Sequence, residues 1–114
     1  MRGFLAITAA AVAFLAAAAP SAASVRLVGV TSPAYRGRDA TLVARVSSSS
    51  VTCGITVYYK SGPSHAKGVK PRKRPVGGRV SWTWRVGTNT TLGRWPIVVR
   101  CGSAGTLRTS FRVA

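Results

Sequence analysis

The chain has 114 residues, 17 Lys and Arg, one acidic side chain (Asp39), one His (His65) and two Cys, for a formal net charge of +16. A carboxylate dyad needs two acids and a hydrolytic metal site usually needs at least three His, Asp, Glu or Cys ligands, so most enzyme chemistry is excluded before any motif is sought. Neither a cofactor nor a small-molecule substrate is expected, and the charge points to anionic partners.

The first element is residues 1–23. Arg2 precedes an uncharged apolar run from Phe4 to Ala19, followed by Pro20, Ser21, Ala22 and Ala23. One positive charge, an Ala-rich core and a small-x-small exit predict a secretory signal peptide of bacterial type, cleaved after Ala23. A membrane anchor is the alternative, but the run is shorter than the ~20 residues a span needs and is mostly Ala. No Cys stands at the cleavage point for lipid attachment. Residues 24–114 are then one domain, secreted and either released or retained at the cell surface, and expected to be a monomer. A domain of this size buries only about two-thirds of its unfolded surface and gains from a covalent staple. In an oxidising destination Cys53 and Cys101 supply one, worth about 4 kcal/mol on the chain-entropy model. A free pair of reactive thiols is the other reading of the two residues.

Apolar and polar residues alternate with period two through the rest of the chain, between Gly, Pro and Ser clusters, and no stretch has helical spacing. The alternation predicts strands over Val25–Val30, Asp39–Val46, Thr52–Lys60, Arg79–Val86, Arg94–Cys101 and Thr106–Val113. Turns fall at Ser32-Pro33, Ser47 to Ser50, Gly77-Gly78, Thr91-Leu92-Gly93 and Gly102 to Gly105. One face collects Ala40, Leu42, Ala44 and Val46; Cys53, Ile55, Val57 and Tyr59; Val80, Trp82, Trp84 and Val86. It continues with Trp95, Ile97, Val99 and Cys101, then Leu107, Thr109, Phe111 and Val113. Both cysteines are in register with the apolar set, as a buried disulfide requires, because a one-residue slip would turn either to solvent. Six or seven short antiparallel strands with one apolar face each close most simply as two packed sheets. The expected fold is therefore all-β, an immunoglobulin-like antiparallel β-sandwich. Cys53 opens the third predicted strand and Cys101 ends the penultimate one, so the bridge is expected between neighbours in one sheet, unlike the inter-sheet bridge of antibody domains.

Three segments carry a family likeness: Val51 to Gly62 (VTCGITVYYKSG), Gly78 to Gly87 (GRVSWTWRVG) and Thr91 to Cys101 (TLGRWPIVVRC). In this order they resemble an Ig-like module of secreted bacterial proteins, particularly from actinobacteria and Chloroflexi, often an accessory domain beside hydrolases or nucleases. The resemblance spans roughly Val25 to Val113 and rests on the Trp-x-Trp strand and the placing of the two Cys. It implies an accessory, non-catalytic extracellular role and brings no active-site residues with it. No catalytic domain accompanies the module in this chain, so it is expected to act alone or as a remnant of a larger arrangement.

The connection from Ser61 to Gly78 holds His65, Lys67, Lys70, Arg72, Lys73 and Arg74 together with Pro63, Pro71 and Pro75. Pro and Gly keep it out of the sheet ladders, so it is expected to display its cations on an extended, mobile loop as a polyanion contact. The bland alternative is a solvated linker, although ordinary soluble surfaces mix both signs of charge. A second basic set follows from parity: Arg79 and Arg85 on one outer face, Arg94, Arg100, Arg108 and Arg112 on others. If the last two strands pair, Arg100, Arg108 and Arg112 share an outward face with Thr56, Tyr58 and Lys60, where Arg forks could hold phosphate or carboxylate and Tyr58 could stack on a base or sugar.

Trp82, Trp84 and Trp95 invite a carbohydrate-binding or base-stacking reading, but their parity puts them with the core. His65 has no partner at metal-ligand spacing and reads as loop decoration. A Ser-His-Asp set with Asp39 and His65 is disfavoured, since a loop His is poorly oriented, and Asp39 is expected to pair with a nearby cation or close a turn. Asn89-Thr90-Thr91 fits a glycosylation acceptor and, behind a bacterial export signal, reads as turn chemistry.

The function expected is a secreted, non-catalytic module binding anionic polymers, whether cell-wall polymer, nucleic acid or anionic lipid head groups. The residues expected to carry it are Lys67, Lys70, Arg72, Lys73, Arg74, Arg100, Arg108 and Arg112. The alternative is a structural module contacting an extracellular protein through sheet edges or loops, its charge incidental. A membrane-disrupting role is least supported, because the cations lie on a β fold and not on an amphipathic helix.

Overall fold

The computed structural model describes residues 24–114; residues 1–23, where a signal peptide is expected, lie outside the described residues. Alternation of apolar and polar side chains is realised as seven strands: β1 (Val25–Val30), β2 (Asp39–Val46), β3 (Gly54–Tyr59), β4 (Gly62–Pro63), β5 (Arg79–Arg85), β6 (Gly93–Arg100) and β7 (Thr106–Val113). Single turns of 3₁₀ helix lie at Lys67–Val69 and Gly102–Ala104. The strands form two antiparallel sheets of order β1-β2-β5 and β4-β3-β6-β7, a β-sandwich of immunoglobulin-like type. The third predicted strand is shorter than Thr52–Lys60 because Cys53 pairs with Lys73 instead of continuing β3. The two-residue β4 went unread because two residues cannot show a period.

Between the sheets lie most of the side chains that parity assigned there, whereas Tyr59, Leu107 and Thr109 are only half-buried. Leu42, Val57, Trp82, Trp84, Ile97, Val99 and Phe111 are fully enclosed. Trp84 of the three-stranded sheet meets Phe111 of the other edge to face at 5.7 Å, a geometry that ring quadrupoles favour. Each indole N–H has an acceptor, as burial requires. Trp82 Nε1 donates to the Pro71 carbonyl (2.9 Å), Trp84 Nε1 to the Tyr59 hydroxyl (3.2 Å) and Trp95 Nε1 to the Thr91 carbonyl (2.8 Å). Trp95 is half-buried, at the margin of the core. Val98 breaks the rule of parity: it is on the outer face yet only 4% exposed, between its cross-strand partners Thr56 and Arg108.

The disulfide joins Cys53 and Cys101, which flank the Gly54–Arg100 pair of β3 and β6, so it lies within one sheet as expected. It closes 48 residues of sequence, including the whole basic connection.

That connection is not free-standing, and the expectation of a mobile loop is corrected. Val69 is buried against the core. Gly68 sits so close to β5 that a Cβ there would overlap the Thr83 carbonyl, which only glycine avoids. Pro71 accepts from Trp82, and Cys53 and Lys73 exchange backbone hydrogen bonds of 2.7 and 2.9 Å. The segment then closes on β5 by a hairpin in which Gly77 and Gly78 both have positive φ (61° and 78°), as a type I′ turn demands. Proline and glycine did exclude the segment from long ladders, but long-range contacts invisible to local composition tie it down.

Candidate functional site

On the three-stranded sheet, the residues of β2 that alternate with the core set point outward, and so do their partners. Arg26 stands opposite Arg45, and Arg45 opposite Arg79. All three are exposed. Strands are ~4.8 Å apart, so three guanidinium stems leave the sheet in a row ~10 Å long. Directly opposed like charges are unfavourable, and no acid relieves these. The single acidic side chain, Asp39, lies at the far end of β2 and is committed to its own partner there, with Arg85 Nε donating to Asp39 Oδ1 at 3.0 Å. Arg79 and Arg85 were recognisable from parity. Arg26 and Arg45 were missed, although each stands between two apolar residues in an alternating strand; what the sequence could not show is that three strands bring them abreast.

The outer face of the four-stranded sheet carries Arg94, Arg100, Arg108 and Arg112. Arg94 and Arg112 are cross-strand partners at one end, Arg108 faces Val98 in the middle, and Arg100 stands at the other end opposite Gly54 and Thr106. Six residues separate Arg94 from Arg100, so the face spans ~20 Å along the strands. Arg94 Nη1 donates to Ser110 Oγ at 3.2 Å. Tyr58 shares this face and is half-buried opposite Pro63.

The cations of the basic connection do not form one cluster. Lys70 and Arg72 join Arg100 around a shallow recess of about 240 Å³ over Gly54 and Thr56. Lys73 Nζ donates to the Ser81 carbonyl at 2.7 Å, and Lys73 and Arg74 line a hollow with Arg79, beside the arginine row. Lys67 belongs to a third recess of about 610 Å³, lined also by Asp39, Tyr59, His65, Trp84 and Thr90. Burial pushes the Tyr59 hydroxyl above the usual tyrosine range, and the hydrogen bond from Trp84 pulls it part of the way back.

Asp39 and His65 line the same recess, yet Asp39 is held by Arg85 and Ser64 Oγ accepts from the Ala66 N–H at 3.2 Å. Among the described residues no hydrogen bond joins His65 to either, so no base is oriented toward a nucleophile. No three His, Cys, Asp or Glu side chains among the described residues stand together as metal ligands.

No family model matches the chain, and no curated protein is detectably similar to it. Among solved structures, it is similar to part of the chitinase ChiW from Paenibacillus sp. str. FPU-7, described as a cell-surface-expressed multi-modular enzyme machinery. The TM-score is 0.54 at 16% identity, over 82% of this chain and 9% of that one. A conjugative transposon lipoprotein from Bacteroides eggerthii DSM 20697 aligns with a TM-score of 0.48 at 9% identity, over 82% of this chain and 98% of the lipoprotein. The chain thus spans under a tenth of the chitinase, and what the two share is the β-sandwich fold.

Proposed function

We propose that this domain is a secreted, non-catalytic accessory module of the bacterial Ig-like type, of the kind that resembles modules from actinobacteria and Chloroflexi, and that it attaches to anionic extracellular or cell-surface polymers. The observation that carries the reading is the Arg26–Arg45–Arg79 row, three like charges fixed in register on a rigid sheet while the one acidic side chain is spent on Arg85. Lys67, Lys70, Arg72, Lys73 and Arg74 from the connection and Arg94, Arg100, Arg108 and Arg112 from the opposite sheet extend the cationic surface to both faces. Binding would release condensed counterions, giving affinity that depends little on sequence and steeply on salt. The occurrence of the fold within a multi-modular cell-surface enzyme supports an accessory role.

The test is binding of the exported protein, disulfide intact, to DNA, a teichoic-type polymer, anionic liposomes and a neutral glycan across a salt series. Affinity for the phosphate polymers should fall with salt by a slope of ~0.7–0.9 per phosphate engaged, with no binding to the glycan. Absence of binding, or binding indifferent to salt, overturns the reading. The second reading, a protein contact, is favoured by the apolar surface of edge strand β1, where Leu27 and Val28 are 38% and 46% exposed; it predicts a saturable partner retained at high salt.

A further inference from the structure

We infer that Arg72 and Arg100, gathered over the bare Cα of Gly54, form a discrete clamp for a phosphate monoester or terminal phosphate group. The inference rests on the anionic-ligand reading and adds to it one built pocket and one ligand chemistry. Gly54 occupies an outward position of β3 directly opposite Arg100. The Nη1 atom of Arg72 lies 3.1 Å from where a Cβ of residue 54 would stand. Cβ atoms of directly opposed residues are about 4.5–5.5 Å apart, so the Arg72 guanidinium fills the missing side chain's place beside the Arg100 stem.

The backbone that carries each arginine is held. Pro71 accepts from Trp82 and Lys73 is paired to Cys53 in both directions, which fixes the backbone on either side of Arg72. Arg100 ends β6, next to the disulfide-bonded Cys101. Thr56 and Lys70 add further donors to the recess, and no carboxylate lines it. The backbone of Cys53 faces Lys73, and by alternation that of Ile55 faces the same way, on the side of the recess that Ile55 helps to line. Two guanidinium groups held together without an acid repel, and a tetrahedral oxyanion accepting from both forks relieves that repulsion. A monoester carries about −1.5 to −2 charges at pH 7, against one for a diester, so the clamp prefers the monoester.

The experiment titrates the ¹⁵N-labelled exported protein with methyl phosphate and dimethyl phosphate at constant ionic strength, following the Gly54 and Ile55 amides and the Arg72 and Arg100 side chains by NMR. Saturable shifts at these residues are expected, with methyl phosphate binding at least about ten-fold more tightly than dimethyl phosphate. Gly54→Val removes no charge and suits a strand, yet fills the gap; it should weaken methyl phosphate about ten-fold while changing DNA affinity less than about two-fold. Arg72→Gln is the second variant and should lose methyl phosphate to the same degree. The clamp is overturned by unsaturable shifts spread over all cationic residues, by equal affinity for the two esters, or by undiminished binding in both variants. Saturable methyl phosphate binding without any DNA or teichoic-polymer binding would sustain the clamp and remove the polymer reading.

Discussion

The two outer faces of the sandwich carry arginine in different geometries. On the three-stranded sheet the charges lie across the strands, in the row Arg26–Arg45–Arg79, and the other end of the face is neutralised by Asp39 and Arg85. On the four-stranded sheet they lie along the strands, from the Arg94–Arg112 pair past Arg108 to Arg100 and the neighbouring Arg72. A row ~10 Å long suits a polymer crossing the strands or a compact anionic group, whereas a track of ~20 Å suits a chain running with them. Composition treats these cations as equal; register makes them two surfaces, which the tethered connection links by sending Arg72 to one and Lys73 and Arg74 to the other.

The largest expected effect breaks that link. Converting Cys53 and Cys101 together to Ser removes the staple beside both Arg100 and the Lys73 pairing, and should cost about 4 kcal/mol on the chain-entropy model. In a domain of this size that lowers Tm by more than about 15 °C. Calorimetry checks it, and a fall below about 5 °C would mean that packing around Trp82 and Val69 holds the connection without the bridge. Anion binding should fall more for ligands of the four-stranded face, where the bridge lies, than for ligands of the row.

Much of this was legible in the sequence. Alternation located six of the seven strands and put the two cysteines inside, because a strand half buried in a sandwich must obey period two. It does not say which residues stand opposite one another, so the Arg26–Arg45–Arg79 row stayed hidden even though each residue's outward direction could be read. Nor does it report approach from afar: nothing local to Gly68 reveals that the Thr83 carbonyl lies against it, and nothing local to Gly54 reveals Arg72. Those two glycines determine where the cations of the connection end up, and both act through what they lack.

A smaller effect separates the row from the track. Arg45 has an arginine on each side, so Arg45→Thr should remove two opposed pairs and raise stability by about 0.5–1 kcal/mol at low salt, a gain that fades near 1 M salt. The same variant should lower the salt slope of polymer binding by about one. Arg108 is opposed by Val98 instead, so Arg108→Thr should give a comparable loss of slope with no gain in stability. Denaturant titration of both variants at two salt concentrations decides the matter; equal stability changes would show that the row bears no repulsion.

The smallest effect concerns the acid that keeps the row from extending over the whole three-stranded face. Asp39 and Arg85 are both exposed, with 58% and 68% of their side-chain surface accessible, so their 3.0 Å contact is heavily screened and worth between nothing and about 1 kcal/mol. Asp39→Asn should therefore leave Tm almost unchanged while freeing Arg85, which raises polymer affinity and steepens the salt slope by up to about one. A variant that binds more tightly without losing stability would show that the pair limits the charged surface and does little to hold the sandwich. A loss above about 2 kcal/mol would exceed what an exposed pair supplies, and would place Asp39 in the structure of the β1–β2 turn, with the charge at that end of the face a by-product of folding.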